Sequence, residues 1–230
     1  MKRTYITSNK LAAFLLCASA ASCCANSVID TVSAWNGTTV AYFGLPNTAT
    51  YGQTITAPFS DPLLTSFSFE LDLPATDTFK AYVFAWNGTS ATGSPLYTSP
   101  VTSTLGTGFQ LFTINTGPVP LAPGGSYVLF VSATEVPTSS GVGYAGIRLD
   151  TDAYSGGNFV FLNNGTDSSQ WTTTPWSTVF ASSDDLAFKA TFVPAPEPSA
   201  FSLCLIGSAA TLFARFRRSR LSLPTRVHQR

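Results

Sequence analysis

The chain has 230 residues and a formal net charge of zero, but its charges are segregated along the sequence. Residues 27–192 contain three basic against eleven acidic residues, which gives this interval a net charge of −8. That balance excludes nucleic acid as an expected partner, because no basic patch is available to neutralise phosphates. The interval also lacks cysteine and histidine, which excludes disulfides, a thiol nucleophile, an imidazole base and ordinary zinc ligation.

Residues 1–25 have the pattern of a secretory signal peptide. Three basic residues within the first ten precede a short apolar run over 11–18, and small residues follow it. This order predicts cleavage after Ala25 or after Ala20, with export of the remaining chain. The apolar run is too short to predict a permanent membrane span.

Residues 26–192 predict one β-sheet domain. Apolar and polar side chains alternate over 66–73, which indicates a strand with one face in a core and one in water. Further strand patterns, separated by Gly, Pro and Asn turn signals, cover 39–43, 50–57, 78–86, 109–115, 126–133, 142–149, 158–162 and 186–193. The sequence therefore predicts an all-β, antiparallel β-sandwich. A jelly roll is the favoured topology, and an immunoglobulin-like sandwich is the alternative.

One short sequence occurs twice in this domain. Ala-Trp-Asn-Gly-Thr at 34–38 recurs at 85–89, although the flanking residues do not match. Because Asn-Gly is a strong turn signal, we interpret the two copies as the same turn formed twice and not as a repeat architecture.

The strand predicted over 78–86 carries large side chains on both faces, which is typical of a central strand buried on two sides. If one face were open, Tyr82 and Trp86 would form a stacking platform for sugar rings. Trp171 and Trp176 would then extend its rim. We expect core packing for each tryptophan, with carbohydrate stacking as the alternative.

An acidic loop at 150–158 is a candidate calcium site. Asp150 and Asp152 are followed by hydroxyl, amide and glycine carbonyl oxygens, which are ligands of the type that Ca²⁺ prefers. A solvated loop with Asx-turns is the simpler interpretation. Asp150 with Asp152, and Asp184 with Asp185, are also the available carboxylate pairs for glycoside hydrolysis. Neither pair has a defining motif, so we expect no enzymatic activity and no cofactor.

A proline-rich linker at 193–199 ends the domain. Its prolines fix φ, remove backbone donors and keep the preceding residues out of the helical region, so the linker is expected to be extended. Residues 200–214 then form a mostly apolar predicted transmembrane helix of roughly 22 Å, against a hydrocarbon core of about 30 Å. The basic cytoplasmic tail 215–230 follows, and its membrane-stop residues are Arg215, Arg217, Arg218 and Arg220.

The order of Pro196, Glu197 and Pro198, then an apolar helix, then arginines closely resembles the PEP-CTERM sorting signal of exported bacterial proteins. The resemblance implies recognition by an exosortase, a membrane protease that removes the tail. It also implies tethering in the inner membrane first, and release to the cell surface or the extracellular polysaccharide matrix afterwards. An ordinary single-span membrane anchor is the alternative.

Five segments carry a second resemblance: 79–88, 96–99, 127–130, 159–165 and 185–192. Through them, residues 52–192 resemble the extracellular domain often joined to PEP-CTERM tails. That resemblance implies a β-sandwich without established catalytic residues. The predicted function is thus a structural or adhesive role at the surface or in the matrix. A carbohydrate-binding module for exopolysaccharide is the first alternative, and a glycan-cleaving enzyme is the second.

Overall fold

The structure is a computed structural model of the chain. It describes residues 26–196, apart from 105, 107, 137–141, 149–151 and 179–183. The predictions that fall outside the described residues concern 1–25, Asp150, Glu197, Pro198, the helix 200–214, Arg215, Arg217, Arg218 and Arg220. They stay predictions.

Alternating and β-branched sequences build two antiparallel sheets, whose strands are numbered here in chain order. The first sheet contains β1 (Val28–Asp30), β2 (Thr39–Phe43), β4 (Leu63–Asp72), β8 (Gln110–Pro120), β10 (Gly143–Arg148), β12 (Asp185–Leu186) and β13 (Phe188–Val193). The second sheet contains β3 (Thr50–Thr56), β5 (Thr78–Trp86), β6 (Ala91–Thr98), β7 (Thr102–Ser103), β9 (Ser126–Ser132) and β11 (Phe159–Leu162). The helical elements are a 3₁₀ turn at Val32–Ala34 and a single turn, α1 (Gln170–Thr173).

Strand pairing connects segments that are distant in the chain. In the first sheet, β4 lies between β8 on one side and β13 on the other, and β13 also pairs with β1. Strand β10 pairs with β2, β12 and the end of β4. In the second sheet, the order is β11-β3-β9-β5-β6, and β7 pairs with β5.

The inner faces of the two sheets share one apolar core. Phe67, Phe69 and Leu71 alternate inward along β4, as their spacing predicts, and all are buried. They belong to the same buried cluster as Phe79 of β5 and Leu129 of β9, which face them from the second sheet. Because no disulfide is available to this domain, burial of these side chains is its main source of stability.

The two ends of the domain lie side by side. Strand β1 is antiparallel to β13, so that Val28 is opposite Thr191 and Asp30 is opposite Lys189. The Phe192 backbone N–H donates to the Ser27 carbonyl at 2.9 Å, which extends this pairing to the last residues of the domain.

The repeated pentapeptide forms the same turn twice. The side-chain oxygen of Asn36 accepts hydrogen bonds from both the backbone N–H and the hydroxyl of Thr38. The side-chain oxygen of Asn87 accepts the same two hydrogen bonds from Thr89. These Asx-turns confirm the interpretation of the two copies as one turn used in two places.

The nine strands expected from the sequence are all present, with ends that differ by a few residues. The 186–193 segment is divided at Ala187, where the chain moves from pairing with β10 to pairing with β4. Strands β1, β6 and β7 were not predicted. Strand β6 is an exposed edge strand that contains Gly93 and Pro95, and both residue types weaken a strand pattern.

Truncation of Phe188 tests the shared core. Its side chain is fully buried and packs against the rings of Phe69 and Tyr154. We expect Phe188→Ala to lower the free energy of unfolding by about 3–5 kcal/mol, measured by urea denaturation. Leu111→Ala, at an exposed position on β8, is the control and should change it by about 0.5 kcal/mol or less. Equal losses in the two variants would contradict this description of the core.

Candidate functional site

The aromatic residues expected as a stacking platform lie on the outer face of the second sheet. Tyr82 and Phe84 of β5 point away from the shared core, and Val128 and Phe130 of β9 lie beside them. We call the complete group the outer cluster: Tyr82, Phe84, Ala91, Val128, Phe130, Val160, Leu162, Trp171 and Trp176, with Trp86 at its edge. Both faces of β5 are therefore packed, as the sequence of this strand predicts.

The chain after β11 folds back over this face, and we call residues 163–178 the cover segment. Trp171 and Trp176 are its two apolar anchors. The Trp171 ring packs against Tyr82 and Phe130, with centroids 4.7 and 5.2 Å away. The Trp176 ring packs against Phe130 at 5.2 Å and lies over Gly52, where an added Cβ would come within 3.1 Å of it. A side chain at position 52 would therefore displace Trp176.

Both indole N–H groups are satisfied inside the protein. Trp171 Nε1 donates to Thr50 Oγ1 at 3.3 Å, and Trp176 Nε1 donates to the Trp171 carbonyl at 2.9 Å. The start of the cover segment is fixed by Asn164. Its amide group accepts from Thr50 Oγ1 and donates to Thr134 Oγ1, each at 2.9 Å. Because these groups are buried, the hydrogen bonds compensate for the loss of water and hold the cover segment in one position.

The geometry leaves little aromatic surface for a ligand at the outer cluster. Tyr82, Trp171 and Trp176 are only 2%, 5% and 7% exposed, and their ring faces contact protein. Trp86 is half-buried and packs edge-on against Trp176 at 5.7 Å. Of the four residues expected as a stacking platform, only Trp86 is partly accessible.

A polar group caps one end of the outer cluster. The Tyr82 hydroxyl donates to Glu135 at 2.8 Å, and Lys80 forms an ion pair with the same carboxylate at 3.3 Å. Burial raises the pKa of Tyr82, and the adjacent carboxylate raises it further. Tyr82 therefore stays protonated and keeps its role as a hydrogen-bond donor.

Asp185 is the most perturbed carboxyl group near the acidic loop. It is fully buried and accepts hydrogen bonds from Gln53 Nε2 at 2.7 Å and from the Tyr154 backbone N–H at 2.8 Å. Gln53 lies in the second sheet and also accepts from the Leu186 N–H at 2.9 Å, so this group links the two sheets. Burial raises the pKa of Asp185 to about 6, and the nearby charge of Asp152 acts in the same direction.

The candidate calcium loop is only partly described, because Asp150 lies outside the described residues. Asp152 is exposed. Further along, the Gly156 carbonyl accepts from Thr56 Oγ1, and the Asn158 carbonyl accepts from the Thr54 N–H. Among the described residues, no three His, Cys, Asp or Glu side chains are grouped so that they could hold a metal ion. The calcium site stays a prediction.

The second carboxylate pair does not have the access that a glycosidase needs. Asp184 and Asp185 are 2% and 0% exposed. A pair that flanks a glycosidic bond must contact the substrate on both sides, and these two carboxyl groups lie inside the domain.

Of the expected sorting motif, Pro196 is the last described residue. It follows β13 after only two residues, so the motif begins almost directly at the folded domain. Within residues 26–196 and outside the gaps, the structure has no helix long and apolar enough to cross a membrane.

One feature that the sequence analysis did not single out is a shallow depression beside Tyr42. It has a volume of about 390 Å³ and is lined by Ala41, Tyr42, Pro46, Asn47, Thr48 and Asn163. The turn signal at Pro46-Asn47 indicates a loop here, but the contact of this loop with Asn163 depends on the tertiary fold.

No family model matches the chain, and no curated protein matches it. Among solved structures, it is similar to the cysteine protease and lectin-like domains of Cwp84, a surface layer associated protein of Clostridium difficile. The identity is 13% and the TM-score is 0.44, over 65% of this chain and 33% of that one. A clostridial Cwp84 structure after propeptide cleavage gives 17% and 0.45, over 69% and 40%. The chain thus spans two fifths or less of their length, and similarity at this level assigns no function.

Replacement of Trp171 tests whether the outer cluster is part of the core. We expect Trp171→Ala to lower the free energy of unfolding by about 3–5 kcal/mol, because it opens a cavity and removes the contacts with Tyr82 and Phe130. Trp86→Ala is the matched variant and should cost clearly less, since Trp86 is half-buried. Both values come from urea denaturation. Similar costs for the two variants would mean that the cover segment does not hold this face closed.

Asp185 predicts a pH dependence of stability. Its folded pKa of about 6 lies above the unfolded value near 3.8, so the folded state binds the proton more tightly. This stabilisation is complete below pH 4 and is lost as the pH rises through 6, with a total of about 3 kcal/mol. Asp185→Asn cannot titrate. The difference between wild-type and variant unfolding free energies should therefore change between pH 4 and 6 and be constant from pH 7 to 8. A constant difference across the whole range would refute the raised pKa.

Proposed function

We propose that this protein is an exported, non-enzymatic component of the bacterial surface or extracellular matrix, sorted through its C-terminal tail. The observation that carries the proposal is the junction at the end of β13. A strand paired on both sides ends at Val193, and the proline-rich linker that resembles a sorting signal begins at the next residue. A protease that acts near Pro196 would remove the tail without disturbing a core strand.

The position of the first strand supports the same proposal. Since β1 lies beside β13 in antiparallel pairing, the chain enters and leaves the domain at the same edge and the same end. An N-terminal signal peptide and a C-terminal anchor can therefore both leave the domain toward one membrane.

A structural role is favoured over catalysis by the residues themselves. The described interior holds its large aromatic side chains in packed clusters, and Asp184 and Asp185 are buried. The mature interval has no histidine or cysteine, so the usual nucleophile and base pairs are unavailable. The net charge of −8 over residues 27–192 also argues against a nucleic-acid partner.

We also propose that the domain is a jelly roll. If eight strands are numbered along the chain as β1, β3, β4, β5, β6, β8, β9 and β13, the sheet orders are 1-8-3-6 and 2-7-4-5. Two interlocked Greek keys generate this arrangement. Strands β10, β11 and β12, together with the cover segment, are then an insertion between the last two strands of the jelly roll.

Substitution of the sorting motif tests the proposed function. In a host that has an exosortase, we expect the wild type in the matrix fraction without its tail helix. Changing Pro196 and Pro198 to Ala and Glu197 to Gln together should leave most of the protein at full length in the membrane fraction, because the protease no longer recognises the linker. Immunoblots of fractionated cells measure both outcomes.

Pro194→Ala is the matched control, because it changes a proline of the same linker outside the motif. It should be processed as the wild type is. If the triple variant were processed and released normally, the proposed sorting would be wrong.

A further inference from the structure

The depression beside Tyr42 lies where the two sheets meet at their strand ends. Tyr42 belongs to β2 of the first sheet, and residues 44–48 form the loop that follows this strand. Asn163 follows directly after β11 of the second sheet. The volume of about 390 Å³ falls within the range of roughly 300–1,000 Å³ that is typical of small-molecule sites.

A β-bulge accounts for the exposure of Tyr42. Gly143 pairs with Phe43 and Tyr144 pairs with Ala41, so Tyr42 has no partner residue across the ladder. A bulge of this kind redirects a side chain and is frequent beside functional sites. The Tyr42 side chain is 51% exposed, and its ring is steadied by Tyr144, with centroids 5.9 Å apart.

The surroundings of the depression are held by the fold. The Thr48 N–H donates to the Tyr42 carbonyl at 3.2 Å, and the Gly44 N–H donates to the Thr48 carbonyl at 2.8 Å, which closes the loop. On the other side, Leu162 is paired with Thr50, and Asn164 is fixed by the buried hydrogen bonds of the cover segment. Asn163 lies between these two anchored residues, so the site is formed before a ligand arrives.

The chemistry of the lining fits a neutral sugar. Tyr42, Ala41 and Pro46 offer an aromatic and apolar surface for the C–H face of a pyranose ring. Asn47, Thr48 and Asn163 bring amide and hydroxyl groups, which both donate and accept hydrogen bonds, as sugar hydroxyls do. None of the six lining residues is an acid or a base. With a charge of −8 over residues 27–192, the domain repels acidic polymers.

We propose that this depression, which we name the Tyr42 site, binds a neutral hexose unit of an extracellular polysaccharide. The proposal deepens the matrix role given above and rests on it. Tyr42 supplies the stacking surface, and Asn47 and Asn163 orient the sugar hydroxyls. The site is separate from the outer cluster, where Trp171 and Trp176 are covered.

Affinity electrophoresis of the full-length protein tests the Tyr42 site. The protein is kept in a detergent without a sugar headgroup and run in gels that contain dextran, hydroxyethylcellulose, the exopolysaccharide of the host, or alginate as the acidic polymer. We expect at least one of the neutral polymers or the host polymer to retard the wild type, and alginate to leave it unretarded. For the retarding polymer, Tyr42→Ala should raise the dissociation constant about tenfold, because it removes the stacking surface.

Three further variants separate binding from folding. Tyr42→Phe keeps the ring and should bind nearly as the wild type does, whereas Asn163→Ala should bind more weakly. Phe59→Ala removes an aromatic side chain that is 80% exposed and lies outside the depression, so it should leave binding unchanged. Thermal unfolding of each variant confirms that it is folded.

The proposal is overturned if no polymer retards the wild type, if alginate alone retards it, or if Tyr42→Ala is retarded as strongly as the wild type. These outcomes are independent of sorting, which is measured by cell fractionation. A protein that is sorted but fails to bind refutes the Tyr42 site only. A protein that binds but keeps its tail refutes the sorting proposal only.

Discussion

Burial of Trp171 and Trp176 against the outer face of the second sheet is the contact on which the rest of the structure depends. It turns β5 and β9 into strands packed on both sides, so that this domain without disulfides gains a second apolar cluster. It also fixes the cover segment, and through Asn164 it positions one side of the Tyr42 site. The largest aromatic residues are therefore committed to stability, and ligand contact is left to a smaller, neutral surface at the strand ends.

Much of this fold was predictable because its signals are local. The alternation over 66–73 placed Phe67, Phe69 and Leu71 in the core, and the structure confirms it. The doubly apolar pattern of 78–86 also indicated a strand buried on two sides. What covers the second side was not predictable, because residues 163–178 have no periodic pattern. Their position is decided by distant contacts such as that of Trp171 with Thr50.

The candidate sites divide along the same line. Asp184 and Asp185 looked like a usable carboxylate pair, but burial within the sandwich and the Gln53 hydrogen bond are consequences of strand pairing that spacing alone does not reveal. Tyr42 was missed for the opposite reason. Its exposure follows from a bulge in the pairing of β2 with β10, and its neighbour Asn163 comes from the other sheet. Sites made by register and by loops from two sheets cannot be found from one segment at a time.

The domain and its tail combine into one account, in which a closed β-sandwich is carried to the membrane, released at Pro196–Ser199 and retained in a neutral polysaccharide matrix. The intact mass of the protein recovered from its own host tests the central claim most directly. The account predicts a mature C-terminus between Pro196 and Ser199, with the apolar helix absent. A mass that extends to Arg230 would contradict it, because the protein would then be a membrane-tethered domain and not a sorted matrix component.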